Sequence, residues 1–414
     1  MRVLVHDFGG YPFIVQLSRE LARRGYEVLH LSAGGFRRAK GPVDRRADDP
    51  PALAIASVTL DEPMMSGGWR RISQERRYGR LLADRIEAFR PRLVLSANSP
   101  LYVQAAVAAT ARTIGAANVI WVQDLHSVAI ARITGRRAQV VGSLTGTWFG
   151  RLERRLLLES DGIVATSSAF LPLMADWGIP IEKVDVIENW APIDEMPGTK
   201  VNAWSREHHL QDRRVLLYAG TLAFKHNPEL LRELAVAVPD ATVVVASEGP
   251  GADQLKAHPG RPENLVVLPF QRYDQLSDML ATADVLVAVL ERDASLFSAP
   301  SKVLTYLAAG RAILAAMPID NPAARAIEQA RAGTVVDPSD PEALASAARA
   351  LLADPDRLRS CGRAARRYAE AKFEIRPIAD RFEAVMASAA HRTSSVGIAV
   401  ATDPAEKGHR PQQG

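Results

Sequence analysis

The sequence holds a single cysteine, Cys361, among 414 residues. That excludes an internal disulfide framework and any cysteine-built metal site, and it makes a reducing compartment the natural home. Cys361 lies on an Arg-rich predicted helix and is not read as a nucleophile. No run of about 18 uninterrupted apolar residues occurs, so no membrane-spanning helix is expected. The N-terminus opens directly on Arg2-Val-Leu-Val, too short an apolar run for a signal peptide. The expected location is therefore cytoplasmic, free or peripheral on the inner face of the plasma membrane. Zinc-finger spacing, basic-zipper heptads and an aromatic RNA-binding strand are all missing, so nucleic acid is not an expected partner. Lysine is scarce, eight against 43 arginines.

Acidic residues are scarce in one part of the chain only. Residues 1–158 hold 24 Lys and Arg against 13 Asp and Glu, leaving 27 against 34 in the remainder, beneath a net charge of +4. Much of the basic excess lies in Trp69-Arg-Arg-Ile-Ser-Gln-Glu-Arg-Arg-Tyr-Gly-Arg80 and in the span from Arg132 through Arg136, Arg137 and Arg151 to Arg155, which also carries Trp148 and Phe149. Basic residues interleaved with large apolar ones suit an anionic membrane surface, each surface cation adding about 1 kcal/mol of attraction. The plain alternative is a solvated helix face.

What is present is an alternation of apolar strands and amphipathic helices. At 414 residues and 47% hydrophobic content the chain is too long for one core, so two domains of roughly 150–200 residues are expected. Residues 2–7, 27–32, 54–60, 93–97, 119–123 and 162–165 read as strands of a first series, with a helix over 12–24 and a mobile polar loop over 34–52. A second series starts at Val215 and continues through 242–246, 265–268, 284–289, 312–315 and 334–336. Strands separated by helices require parallel sheets, so the expected class is α/β with two facing doubly wound, Rossmann-like domains and a cleft between them. The expected division is residues 1–195 and 196–375, a closing helix over 376–390 packing back on the first domain, and a disordered tail over 391–414.

Two lysines stand where an anion would bind. Val215-Leu-Leu-Tyr-Ala-Gly-Thr-Leu-Ala-Phe-Lys225-His-Asn is a strand, a glycine turn and a lysine before a helix start, and Ala299-Pro-Ser-Lys302 again leads into a helix. Unpaired N–H groups and the positive end of the helix dipole, a close-approach glycine and a cation together make a phosphate cradle. Either lysine alone could equally be a solvated helix-start charge. Parallel sheets bind ligands beyond the carboxyl ends of their strands, and every polar loop with chemistry falls there. In the first domain these carry Gly9, Gly10, Asn98, Asp124 and His126. In the second they carry Gly220, Thr221, His226, Asn227, Glu248, Gly249, Pro269, Gln271, Arg272, Glu291, Asp293, Ser298 and Ser301.

The sequence from Tyr218-Ala-Gly-Thr-Leu through Glu248-Gly-Pro250, Ala281-Thr-Ala-Asp-Val285 and Pro300-Ser-Lys302 to Ala308-Ala-Gly310-Arg-Ala-Ile-Leu resembles the retaining nucleotide-sugar glycosyltransferases of family four, with the GT-B fold. Val186-Ile-Glu-Asn189-Trp sits where that family carries an interdomain Asn signature, and Val122-Gln-Asp124-Leu with Pro-Ser-Lys looks closest to the branch that builds capsule, colanic-acid and O-antigen polysaccharides. The resemblance implies a hexosyl- or N-acetylhexosaminyl-type transferase working from a nucleotide-sugar donor to a glycan or polyprenyl-diphosphate-linked acceptor. In the family an Arg after the first glycine of the second domain and a Lys about five residues later hold the donor diphosphate. Here Thr221 replaces that Arg and Lys225 comes one position early, so Lys225 is the main diphosphate cation and Lys302 a replacement for the arginine. The family's two glutamates fall on Phe297 and Thr305, so Glu291, Asp293 and Ser298 become candidates for sugar and ribose contacts, or are solvated loop residues.

The resemblance further makes Pro269–Tyr273 the loop that receives the base, with Arg272 able to stack. Asp124 and His126 would orient the acceptor hydroxyl, unless they are a helix cap and a core histidine. Gly9 and Gly10 either let the first loop approach donor or acceptor or simply make a tight turn. Neither cofactor nor metal is expected: the Asp-x-Asp pattern of metal-dependent transferases is read as absent, and lysines supply the charge. A dehydrogenase is disfavoured because Gly-x-Gly-x-x-Gly spacing is missing. A GT-B sugar-nucleotide epimerase and a non-catalytic scaffold derived from a transferase remain as alternatives.

Overall fold

The structure, a computed structural model, describes residues 1–34, 43–62, 64, 68–128, 130, 139–196, 198–222, 226–292 and 301–401. Two parallel sheets organise it. The first contains β1 (Arg2–Asp7), β2 (Glu27–Ala33), β3 (Leu53–Val58), β4 (Leu93–Ala97), β5 (Ala117–Val122), β6 (Gly162–Ala165) and β7 (Val184–Val186), in the order β3-β2-β1-β4-β5-β6-β7. The second contains β8 (Val215–Ala219), β9 (Thr242–Ala246), β10 (Leu265–Leu268), β11 (Val285–Val289), β12 (Ala312–Ala316) and β13 (Gly333–Val336), in the order β10-β9-β8-β11-β12-β13. All pairings are parallel, as helical crossovers require. Chain order reverses between β1 and β4 and again between β8 and β11, so each sheet has a switch point where neighbouring strand ends open a crevice.

The apolar runs form central strands because both faces of these sheets are covered. In β5, Val119 and Trp121 face one core while Ile120 and Val122 face the other. Trp121 stacks on Trp190 of the segment joining the two sheets, at 5.7 Å between ring centroids and 14° between planes. Phe13 of the helix Pro12–Arg23 and Phe382 of the C-terminal helix close on the pair, at 5.9 and 4.6 Å from the Trp121 ring. That C-terminal helix, Ile375–Ala401, lies against the first domain: Arg24 binds Asp380 at 2.6 Å, Glu383, and the Arg376 carbonyl at 2.8 Å. Arg392 reaches the Asp161 carbonyl at 2.6 Å.

Three expectations change. The tail expected to be disordered from residue 391 is helical as far as Ala401, because Arg392 and the apolar stripe around Met386 and Ala389 carry the packed face past that point. Residues 402–414 lie outside the described residues. The short edge strand β7 escapes a reading by apolar runs, since Val184-Asp-Val186 has only two apolar residues. The loop expected to be mobile over 34–52 is pinned over its second half: Arg19 pairs with Asp49 at 2.5 Å with side chains 5% and 0% exposed, and Arg46 N donates to Asp49 at 2.8 Å.

Phe382 holds the last helix to two other segments through Trp121 and Trp190, so Phe382→Ala should lower stability by about 3–5 kcal/mol, read as a lower urea midpoint. Asp380→Ala, which removes one partner of a largely exposed ion pair, should cost less than about 1 kcal/mol.

Candidate active site

The first cluster forms at the ends of β1, β4 and β5. Asp7 is fully buried, and its carboxylate turns the chain back on itself, accepting from Gly9 N at 2.8 Å and from Tyr11 N. A Cβ on Gly9 would stand 2.0 Å from the Tyr11 ring and 2.6 Å from Asn98 Nδ2, so this turn needs glycine there. Asn98, at the end of β4, adopts φ +53°, which brings its side chain to the Gly9 turn across the switch point. Beneath them His6 is clamped between hydroxyls, with Nδ1 2.9 Å from Ser99 Oγ and Nε2 3.1 Å from Tyr78 Oη.

Asp124 and His126 follow β5, and a buried carboxylate from another helix fixes their loop. Glu153, within Gln139–Glu159, accepts from His126 N and Ser127 N, both at 2.9 Å, and from Ser127 Oγ at 2.5 Å. It thereby caps the short helical turn that starts at His126. A small cavity opens here, bordered by Ser99, Asn98, Gln104, Asp124, His126 and Glu153. Gln123 exchanges two amide hydrogen bonds with Asn189, at 3.2 and 2.6 Å, tying the end of β5 to the segment between the domains.

The second cluster forms around β8 and β11. Gly220 leaves β8 with φ +115°, and a Cβ there would meet Lys302 Cε at 3.5 Å and Nζ at 3.7 Å. The Lys302 ammonium lies 3.6 Å from the centroid of the buried Tyr218 ring. The Tyr218 hydroxyl donates to the Thr221 carbonyl at 2.8 Å, and Tyr306 Oη accepts from Ala219 N at 2.9 Å and donates to its carbonyl at 3.2 Å. Burial, and then the neighbouring Tyr306, push the Tyr218 phenol well above its ordinary range, so it stays neutral. The β9 turn interlocks with this one: Leu222 N donates to the Glu248 carbonyl at 3.2 Å and Gly251 N to the Leu222 carbonyl at 3.0 Å. Gly249 (φ +111°) opens the helix Pro250–Ala257, and Asn227 (φ +42°) opens Pro228–Ala237.

Gly220, Thr221, His226, Asn227, Glu248, Gly249, Ser301 and Lys302 thus meet around one strand end, with Glu291 following β11 beside it. His226 is buried with its ring edge-on to Tyr218 at 6.4 Å. Gln271 braces the β10 loop, accepting from Trp204 Nε1 and donating to the Pro269 carbonyl, both at 2.9 Å. Arg272 chelates Asp274, and the next residue, Tyr273, donates to Glu195 of the interdomain segment, which also binds Arg46 of the first domain. Lys225, Asp293 and Ser298 lie outside the described residues, as do Arg132, Arg136 and Arg137. Cys361 is buried, and burial raises its thiol pKa, so it is no nucleophile. The Asp-x-Asp pattern read as absent does occur once, at Asp354-Pro-Asp356, where it opens a helix, with Asp354 accepting from Arg357 N at 2.9 Å.

Sequence reasoning passed over Tyr218, Tyr306 and Glu153. The tyrosines looked like ordinary apolar positions. Glu153 is an acid set between Arg151 and Arg154 on a basic helix, and that charge reversal is the available signal.

Two family profiles match the chain in series. The one described as Glycosyl transferase 4-like domain covers residues 9–190, and the one described as Glycosyl transferases group 1 covers residues 201–368. Between them they span most of the sequence, and the chain belongs to the glycosyltransferases. No curated protein sequence matches it. Among solved structures, sucrose-phosphate synthase (tll1590) from Thermosynechococcus elongatus superposes with a TM-score of 0.70 at 14% identity, over 96% of this chain and 100% of that one. Anabaena Alr3699/HepE in complex with UDP-glucose gives 0.66 at 14% identity, over 94% and 100%. WaaG, a glycosyltransferase involved in lipopolysaccharide biosynthesis, gives 0.64 at 14% identity, over 93% and 99%. At such identities the likeness is one of fold, and it is the GT-B fold.

The hydroxyl clamp under the first cluster sets an acid limit. His6 and His30 are fully buried, and burial first, then a nearby positive charge, lowers each pKa to about 3. A pKa lower in the folded than in the unfolded chain gives stability that is complete above about pH 6.5 and drains as pH falls from there toward 3. Between pH 7.5 and 5.5 each histidine should cost the fold ~1 kcal/mol. Urea titrations at the two pH values should show this loss, and His6→Gln should lose measurably less.

Proposed function

We propose that the chain moves a hexosyl or N-acetylhexosaminyl residue from a nucleoside-diphosphate sugar to a glycan or polyprenyl-diphosphate-linked acceptor, with retention at the anomeric carbon, in assembly of a cell-surface polysaccharide. The observation that carries this reading is the placement of the Lys302 ammonium beside Gly220 at the β8/β11 switch point, beyond the strand ends where sheets of this class bind phosphates. The UDP-glucose in the Anabaena structure of the same fold supports the donor class.

In this mechanism the bond between the anomeric carbon and the diphosphate oxygen breaks, the acceptor oxygen bonds to the same face, and the acceptor proton passes to the departing phosphate. No enzymatic nucleophile is needed, and no metal enters the scheme. Lys302, with Lys225, offsets the charge that grows on the phosphate, an effect commonly worth several kcal/mol in the transition state. Asp124 and His126, on the loop capped by Glu153, orient the acceptor beside Gly9, Gly10 and Asn98. Thr221, His226, Asn227, Glu248, Gly249, Glu291 and Ser301 border the donor, and Pro269, Gln271 and Arg272 form the base loop.

A lipid-linked acceptor calls for contact with an anionic membrane. Among the described residues no helix is long and apolar enough to cross one. Trp69 and Trp148 are 84% and 63% exposed. They stand on helices Gly68–Phe89 and Gln139–Glu159, joined through Tyr102, which carries Arg76 at 4.8 Å over its face and Phe149 edge-on at 6.1 Å. Arginines around exposed tryptophans suit headgroups and interface at once.

The donor reading is tested by thermal shift and by transfer from radiolabelled UDP- and GDP-sugars. A saturating donor near 100 Kd should stabilise the protein by about 2.7 kcal/mol. Lys302→Met should cut turnover on the order of 10²- to 10³-fold with the unliganded melting temperature kept. Absence of any nucleotide-dependent shift in the wild type would overturn the reading. For the membrane, sedimentation with vesicles containing anionic lipid should pellet the wild type at low salt and leave a Trp69→Ser, Trp148→Ser double variant in solution. Equal binding by the two would remove that role from the tryptophans.

A further inference from the structure

The cavity beyond β5 has a polar base that the chemistry above leaves unused. Gln104 comes from the helix Leu101–Ile114, where Leu101 and Ala108, one turn to either side on the same face, are buried apolar residues. Gln104 is only 3% exposed, and its Nε2 finds no hydrogen-bond partner among the described residues. An amide N–H buried without a partner costs the desolvation of that group, which an apolar side chain in its place would avoid. Gln104 borders the cavity together with Ser99, Glu153, Asn98, His126 and Asp124. Burial is graded around it: Asp124 is exposed, Asn98 and His126 are half-buried, and Gln104, Ser99 and Glu153 are buried. Polar side chains thus run from solvent at the ends of β4 and β5 down to Gln104.

The surroundings select the group that can meet this amide. An N–H donor needs an acceptor, which excludes an ammonium. Glu153 brings a carboxylate to the same cavity, which opposes a phosphate or a second carboxylate. A hydroxyl passes both filters, because it carries no charge, accepts from the amide and still has a proton to donate. Room for about two waters suits one hydroxyl with its carbon and leaves a sugar ring at the mouth, beside Asp124 and His126. We infer that the cavity is a hydroxyl-binding subsite in which Gln104 receives one hydroxyl of the acceptor sugar and so discriminates among acceptors from the buried end. The inference rests on the transferase reading above for what brings a sugar to this crevice, and adds to it the residue that selects that sugar.

In protein labelled with 15Nε2-glutamine, the Gln104 amide is assigned by its loss in Gln104→Met and followed while methyl glycosides of glucose, galactose, mannose and N-acetylglucosamine are added at millimolar concentration. At least one should shift it saturably, and glycerol should not. Within the monodeoxy series of that glycoside, loss of one hydroxyl should weaken binding about tenfold and loss of the others little. Gln104→Met, close in volume, should weaken the same glycoside about tenfold while the melting temperature stays level or rises, since an unpaired amide is removed. No shift with any of the glycosides, or an equal shift with glycerol, would overturn the subsite. So would a Gln104→Met protein that melts lower and binds the glycoside unchanged, for then the amide serves the fold. None of these measurements needs a donor. If UDP and GDP leave the wild-type melting temperature unmoved while a glycoside shifts Gln104, the donor reading fails and the hydroxyl subsite stands.

Discussion

The stack of Trp121 on Trp190 is the contact on which the relation between the two sheets depends. Trp121 belongs to β5, Trp190 to the segment between the domains, and Phe13 and Phe382 bring in the first helix and the last. Four stretches far apart in sequence therefore meet in one aromatic cluster, whose ring contacts are each worth roughly 0.5–1.5 kcal/mol beyond the area they bury. Trp190 Nε1 donates to Gln16 at 2.7 Å, so the ring is oriented as well as packed. One residue earlier Asn189 exchanges hydrogen bonds with Gln123 at the mouth of the first crevice. The segment's other end is held by the second domain, where Arg366 donates to the Ile193, Met196 and Ala308 carbonyls.

Anchoring the connection at both ends leaves the strand-end loops as the adjustable parts. Those loops are built to let backbone come close. Gly9 is hemmed in by Tyr11 and Asn98 and Gly251 by the Leu222 carbonyl and Pro228, while Gly220 takes φ +115°. The loops are also coupled. Glu195 in the connecting segment takes a hydrogen bond from Tyr273 beside the β10 loop and an ion pair from Arg46, whose backbone N–H holds Asp49 in the first domain. A rearrangement at the β10 loop would therefore be felt by the segment that connects the two domains.

Much of this was legible in the sequence because it is local. Runs such as Val215–Ala219 and Val285–Val289 are apolar throughout, as strands covered on both faces must be, and that alone gave the parallel sheets and put the polar loops at their carboxyl ends. Lys302 was placed with the Gly220 turn by the family resemblance, as a replacement for the missing arginine, and the β8–β11 pairing brings the two together. What sequence could not supply were contacts between distant segments: Glu153 capping the His126 turn from 27 residues away, Tyr306 bonding the backbone of Ala219 from 87 away, and Arg392 continuing the last helix by reaching Asp161. Each involves a residue whose type is ordinary for its own element and whose role appears only when another element arrives. Trp69 and Trp148 were visible for the opposite reason: large aromatic rings among arginines stand out from composition alone, and both are exposed.

The loss of the glutamates typical of the resembled family acquires a physical sense at Lys302. The second of those positions is Thr305, one helical turn after Lys302 in Ser301–Ala309, and residues three apart share a helix face. A glutamate there would lie within reach of the lysine and could neutralise it. With threonine in its place, the ammonium lies 3.6 Å from the centre of the Tyr218 ring. The missing arginine after Gly220 fits the same exchange. Thr221 gives its carbonyl to Tyr218 and so holds the ring, while the cation arrives from the helix after β11 on the other side of the switch point. Arginine and glutamate thus give way together, and a lysine, a tyrosine and a glycine stand together at the same strand end.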